Sequence, residues 1–376
     1  MPINRKLTLV LLVFVLAPFV AAGQALADQA ATDRSASFDE LIEVSEVLLD
    51  VLVTDRKGQV IVGLTPEDFV ISEEGREIPL SGASFYSNRI LIRDDDPSRV
   101  KKAAADEVPA DRYFVFFIHD QLRTFGATSP LVRRQFEAAQ QIRRWIKREM
   151  LPGDWVAVVS YDVKLKVHQD FTRNRELLQR ALDHATMAKD PQNIWGSRRP
   201  ESPEGHPSLL SNLPEGKEMR DQTTRIYDGM RLLAEATQGI VGRKNLVLFS
   251  TGFGRIDTSL GAPVALPDDR FYPDLRQSLN DNNVAVYSVD LSPNGFETAQ
   301  ANFLTKLSTE TGGEYYGTFS SFITPLRKIA DEANGYYLLS YQAEHPAGET
   351  GYRKVKVKTR NPDFKVRARQ GYRYGS

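Results

Sequence analysis

The hydrophobic rhythm of the chain changes twice along its length. From Leu41 to Phe85 apolar and polar positions alternate: Val47, Leu49, Val51 and Val53 fall on one face, with Leu48, Asp50, Leu52 and Thr54 between them. A period of two marks strands with one face buried. Turn signals at Asp55-Arg56-Lys57-Gly58 and Glu74-Gly75 divide the stretch. Val60 to Val62 restarts a strand, Thr65-Pro66-Glu67-Asp68 reads as a capped single turn with Pro in its first position, and Phe69–Ser72 and Ile78–Phe85 read as further strands. The spacing predicts a small antiparallel β-domain over 41–93, followed by a linker over 94–109 where Asp94-Asp95-Asp96-Pro97 and a Lys/Ala run break the pattern.

From Tyr113 the apolar runs become continuous. Tyr113–Ile118, Trp155–Tyr161, Asn245–Ser250 and Val284–Val289 show no alternation, as expected for strands covered on both faces in a parallel sheet. Helical spacing separates them. Leu131, Phe136, Ala139, Ile142, Trp145 and Ile146 predict a helix over 130–150, stopped by Pro152-Gly153-Asp154. Further helices are predicted over 175–184, 224–238, 274–280, 303–311 and 321–333, with a strand over Lys166–Phe171 beside the second run and a short last strand from Tyr315. Strand and helix in alternation predict an α/β domain over 110–333, a doubly wound and mostly parallel sheet with helices on both faces. Ligands of such sheets bind at the carboxyl ends of the strands, where Asp120, Thr251 and Asp290 fall. Residues 186–220, rich in Pro and Gly around Trp195, read as a long functional or mobile loop. After Asn334-Gly335 alternation returns: Val355 and Val357 face one side, Lys354, Lys356 and Lys358 the other. This antiparallel segment, 334–376, can pack with 41–93 as one sandwich.

The ends and the bulk numbers narrow the function. Arg5 and Lys6, the apolar run Leu7–Ala22 and Ala25-Leu26-Ala27 have the order of a secretory signal over 1–27, cleaved after Ala27, with 28–40 small, polar and disordered. The expected location is therefore secreted or periplasmic, with no membrane span after cleavage. At 376 residues the chain suits two or three domains, and 41% hydrophobic with 26% charged residues is a globular composition. A net charge of −1 gives no global field for nucleic acid. There is no cysteine, so thiol catalysis, Fe–S clusters and Cys-based zinc sites are excluded.

The order Phe114-Val115-Phe116-Phe117-Ile118-His119-Asp120, Asp154–Ser160, Asn245-Leu246-Val247-Leu248-Phe249-Ser250-Thr251-Gly252 and Val284–Asp290 resembles a von Willebrand factor type A domain. The flanks, Val51–Gly58 with Gly63-Leu64-Thr65-Pro66-Glu67-Asp68-Phe69, Glu310-Thr311-Gly312-Gly313, Tyr337–Tyr341 and Tyr352–Lys358 closed by Arg369-Gln370-Gly371-Tyr372, are similar to the VWFA-related proteins of the acidobacterial type. That resemblance implies a metal-ion-dependent adhesion site made of a first-strand D-x-S-x-S, a second-loop Thr and an Asp after the central strand, holding Mg²⁺ through hard oxygen ligands with one position open to a partner's carboxylate. Asp120 matches the first Asp, Thr124 can replace the second Ser, and Thr224 matches the second-loop Thr. Leu122 and Thr251 stand where the first Ser and the later Asp are expected. The degenerate set would keep one carboxylate and two hydroxyls. The alternative is a retired site, with Asp120 bonded to neighbouring hydroxyls or backbone N–H groups.

Other candidates carry blander readings. None of the five histidines pairs at zinc-ligand spacing, His119 beside Asp120 is a weak acid–base pair, and Ser250 lacks a nucleophile elbow. Asp162 reads as a strand-end residue in solvent. Arg133, Arg134, Arg143, Arg144, Lys147 and Arg148 read as the solvated face of an amphipathic helix. The expectation is an exported, non-enzymatic protein that binds a protein partner, an adhesion-type function, through the carboxyl edge of its sheet. A structural scaffold and an exported hydrolase are the other classes.

Overall fold

The structure is a computed structural model that describes residues 42–87, 111–120, 122, 129–191, 198–199, 203–259, 264–292, 301–317, 321–346 and 348–375. The signal segment, residues 28–40, the linker and Thr124 lie outside the described residues.

The alternating segments from the two ends of the chain build two facing sheets. β1 (Ile42–Thr54) pairs antiparallel with β13 (Gly335–Pro346), and β13 with β4 (Gly82–Ser87). In the second sheet β14 (Gly351–Thr359) pairs with β2 (Phe69–Glu73), which pairs with β3 (Arg76–Ile78). β15 (Lys365–Ala368) then joins β1, and β16 (Gly371–Tyr374) joins β14. One run of chain thus switches from the first sheet to the second at Arg369-Gln370. Val47, Leu49, Val51, Tyr337, Leu339 and Tyr341 point into the space between the sheets and are buried there. Glu73 is buried with them, and its Oε2 accepts the hydroxyls of Tyr341 at 2.9 Å and Tyr372 at 2.7 Å, which offsets the cost of taking a carboxylate out of water. The strand expected over Val60–Val62 is a single bridge, Val60 to Thr54.

The central region is the α/β sheet, in the order β12-β11-β8-β5-β6-β7. Its strands are β5 (Arg112–His119), β6 (Asp154–Tyr161), β7 (Leu165–Thr172), β8 (Lys244–Ser250), β11 (Val284–Asp290) and β12 (Tyr315–Gly317). All neighbours are parallel except β6 and β7, which form a hairpin and leave β7 as an antiparallel edge. β9 (Arg255–Asp257) and β10 (Val264–Leu266) form a small ribbon after β8.

Continuous apolar strands need cover on both faces, and the helices supply it. Phe114, Phe116 and Ile118 face α1 (Pro130–Arg148), α2 (Arg175–Thr186) and α7 (Ile323–Glu332). The Trp145 ring of α1 lies edge-on to Phe114 and Phe116, with centroids at 5.3 and 5.6 Å. Truncating Phe116 to Ala would cost about 3–5 kcal/mol. Val115 and Phe117 face the other layer, α4 (Ile226–Glu235), α5 (Tyr272–Asp281) and α6 (Ala301–Glu310). α1 starts where Pro130 follows a Ser129 cap whose hydroxyl accepts from Leu131 N, and α2 starts where the Asn174 side chain accepts from Glu176 N and Leu177 N.

Three expectations need correction. The stretch 186–220 is docked where it is described. Leu209, Leu210, Leu213 and Met219 are buried in the sheet core, and the Asp170 carboxylate on β7 accepts from Leu209 N, Leu210 N and the Ser208 hydroxyl. Gly216–Gln222 is a short helix, α3, too brief to show periodicity. α4 begins at Ile226 rather than Thr224 and ends at Glu235, before the left-handed Gly239. On α1, Arg134 is not solvated: it is buried, its Nε donates to Leu291 O at 2.9 Å, and its guanidinium lies over Phe322.

Candidate functional site

Parallel strands that start together end together. The crossover helices run back against them, so the carboxyl rim gathers the residues after β5, β6, β8 and β11 and the first turns of α4 and α5. Asp120 directly follows β5. It is buried; its backbone N–H donates to Tyr161 O at 2.7 Å, and its Oδ1 accepts from Leu122 N at 2.9 Å and Gln135 Nε2 at 2.8 Å. Its Oδ2, also buried, has no hydrogen-bond partner among the described residues. Next to it in register, Ser250 ends β8 and Thr251 follows, half-buried. Asp290 closes β11 with both oxygens engaged: Oδ1 accepts from Ser292 N at 2.7 Å and Oδ2 from the Tyr315 hydroxyl at 2.8 Å.

Between Asp120 and Thr251 lies a pair that spacing along the chain did not reveal. His119 Nδ1 is 2.8 Å from Ser250 Oγ, which also accepts from Gly252 N at 2.9 Å. Residues 131 positions apart meet because β5 and β8 are adjacent, and only the strand order could have signalled it. Burial pushes the His119 imidazole down to about 4, so it is neutral near pH 7. Ser250 is fully buried. The loop after β8 turns on two left-handed glycines, Gly252 and Gly254; a Cβ on Gly254 would sit 2.7 Å from Leu266 O. This turn lays Phe253 edge-on to His119, Tyr227 and Phe303, with centroids at 6.2, 5.2 and 4.6 Å. An aromatic ring, not a carboxylate, fills the loop of the central strand.

The strand order 3-2-1-4-5-6 with an antiparallel third strand, read over the six strands of this sheet, decides the fold. The central region has a von Willebrand factor type A-like fold. No protein-family model matches the sequence, and no curated protein matches it. Among solved structures this type A fold is similar to an aerotolerance-related membrane protein from Bacteroides fragilis NCTC 9343 carrying mutations to serine (14% identity, 59% of this chain and 98% of that one, TM-score 0.37). It is similar to the SpRpn10 VWA domain (11%, 58% and 94%, TM-score 0.32) and to proximal thread matrix protein 1 from the mussel byssus with a zinc-occupied MIDAS motif (12%, 59% and 48%, TM-score 0.35).

The type A rim brings some of the expected ligands together and separates others. Asp120 and Thr251 stand at neighbouring strand ends. Thr224 lies on an exposed turn before α4, while the neighbouring Thr223 is buried and spends its hydroxyl on Met219 O, at 2.7 Å, and Leu165 N, at 3.1 Å. Asp162 is not in solvent: its side chain is 1% exposed and pairs with the equally buried Lys166 at 2.8 Å. A divalent cation such as Mg²⁺ takes six or so oxygen ligands. The described rim offers one buried carboxylate oxygen without a hydrogen bond, Asp120 Oδ2, and no group of three His, Asp or Glu side chains fit to hold a metal occurs among the described residues. The described residues therefore do not fit the ion.

The rim carries instead an apolar and cationic surface. Val163, at the tip of the β6–β7 hairpin, is 60% exposed. Gly229 on α4 leaves room for the Tyr161 ring, which is edge-on to His119. Burial, followed by the charges of Asp162 and Asp228, raises the Tyr161 hydroxyl far above its usual range. Phe253 leads through Tyr227 to Phe271, the residue before α5.

Proposed function

We propose that this chain is an exported, non-catalytic binding protein whose contact face is the carboxyl rim of the type A sheet, and that it binds its partner without a metal. The observation that carries the reading is the composition of that rim: Val163, Phe253, Phe271 and exposed arginines surround a carboxylate that lacks a full ligand set. Aromatic residues and Arg are enriched, and acidic side chains depleted, at protein contacts. The full burial of Ser250 supports a non-catalytic role for its pair with His119, since a substrate carbonyl must reach the nucleophile. Export rests on the basic, apolar, small-residue order of residues 5–27, and kinship with the acidobacterial VWFA-related proteins rests on the quoted flanking motifs.

Affinity capture from an envelope extract tests this, with full-length wild type and Val163→Asp as baits, each with and without EDTA. The expected result is a set of proteins retained in EDTA and lost with Val163→Asp. A set released by EDTA would restore the metal-dependent site. A set indifferent to Val163→Asp would move the contact face elsewhere.

A further inference from the structure

At the outer end of the aromatic chain, two arginines hold one phenyl ring. The Arg225 guanidinium lies over Phe271 at 4.2 Å from its centroid and that of Arg270 at 5.1 Å. The platform is fixed. Phe271 N donates to Asp268 O at 3.0 Å, and the Tyr227 hydroxyl accepts from Asp268 N at 3.2 Å. Each guanidinium is also held from below: Arg225 Nε bonds Asp228 Oδ2 at 2.7 Å, and Arg270 bonds both oxygens of Asp268, at 3.0 and 2.7 Å.

Exposure breaks the balance of charge. The two carboxylates are 19% exposed, whereas Arg225 is 53% and Arg270 77% exposed. Of these four groups the cations are the more open to water and partners, while Asp269 and Asp274 stand exposed in the same segment. Both terminal nitrogens of Arg225 and one of Arg270 have no protein acceptor among the described residues. Arg255 on β9 is exposed and close enough for its charge to act on the Asp268 carboxylate. The first turns of α4 and α5 add their positive dipole ends at the same edge. Immobilised guanidiniums lose little rotamer freedom on binding and present N–H pairs in the fork spacing that a carboxylate accepts.

We infer that Arg225, Phe271 and Arg270 form a clamp for the carboxylates of an acidic segment of the partner protein. The inference rests on the rim being the partner face and names the partner's chemistry. Recognition by preset guanidiniums takes over the role that a metal ion would need further carboxylates to fill. The apolar ring of Phe253, joined to Phe271 through Tyr227, favours a peptide over a polyanion that offers charge alone.

Fluorescence anisotropy with the full-length protein and a short fluorescein-labelled peptide of alternating Glu and Gly tests the clamp, with the Gln-for-Glu peptide as its neutral counterpart. The Glu peptide should bind at least about tenfold tighter than the Gln peptide, with the preference falling as salt rises. Arg225→Gln with Arg270→Gln should abolish that preference, and Phe271→Leu should weaken it by about threefold. Arg327→Gln, an exposed guanidinium on α7, should leave it unchanged and serves as the fold and charge control. Equal binding of the two peptides, or full binding by the double variant, would overturn the clamp. Val163 is not part of the clamp, so the capture experiment reports separately on the rim: loss of capture with Val163→Asp alongside equal peptide binding would discard the clamp alone.

Discussion

The two ends of the α/β sheet are built on opposite principles. At the amino end the buried charged side chains of the described residues are paired across layers, although Glu332 Oε2 and Arg369 Nε have no hydrogen-bond partner of their own. Arg112 reaches Asp154 with Nε and Nη2 at 2.6 and 2.7 Å and uses Nη1 on Ala330 O and Asn334 Oδ1, both at 2.8 Å. Here the sheet meets the sandwich. Arg369 bridges Asn280 O and Leu48 O, Asn283 bonds Asp50, and Arg367 bonds Glu314 and Glu332. At the carboxyl end Asp120 keeps an unpartnered oxygen, the aromatic rings are half-buried, and arginines face outward. Dense pairing of buried charges between two layers fixes a junction, whereas exposed guanidiniums and half-buried rings on a rigid frame are available to something else. The difference assigns cohesion to one end and recognition to the other.

Breaking the amino end should produce the largest effect. Arg112→Ala leaves Asp154 buried without its counter-ion and should destabilise by about 3–5 kcal/mol, read from the urea midpoint. A loss below about 1 kcal/mol would mean that the two ends are not so different. Acid should act next, through the carboxyl end. His119 stays neutral in the fold down to about 4, whereas an unfolded His protonates near 6.5. The unfolded state binds more protons across that window, so stability should fall as pH drops from 6.5 towards 4, by on the order of 1–2 kcal/mol at pH 5. His119→Gln should flatten that part of the profile. A third, smaller effect is expected from Asp120→Asn, which keeps an acceptor for Leu122 N and Gln135 while removing a buried charge. Thermal unfolding should shift by less than about 1 kcal/mol, in contrast to Arg112→Ala. The smallest effect is expected from EDTA or millimolar Mg²⁺, neither of which should move Tm. A rise with Mg²⁺ would show binding to the native state.

Much of this contrast lay beyond the reach of the linear pattern. Continuous runs such as Phe114–Ile118 and Val284–Val289 sufficed for the α/β sheet, because a strand covered on both faces has few other ways to be so apolar. Asp120, Thr251 and Asp290 were legible as strand-end residues for the same reason. What stayed hidden depends on which strands become neighbours. His119 meets Ser250 across 131 residues, and Phe271, the residue before α5, receives Arg225, the residue before α4. Asp162 looked solvated because its ion-pair partner Lys166 lies across a hairpin turn. The helix Gly216–Gln222 is shorter than two periods and leaves no rhythm to detect.

The crossing of β15 into β16 has a consequence for the order of assembly. β1 is among the first described segments to be synthesised, yet both of its strand neighbours, β13 and β15, come from the last tenth or so of the chain. The α/β layers join through near-neighbour crossovers and can condense early, while a pairing that spans nearly three hundred residues is slow. Until then β1 waits with unpaired edges and exposed aliphatic side chains, the state in which a newly made chain is most prone to aggregate and most in need of an escort.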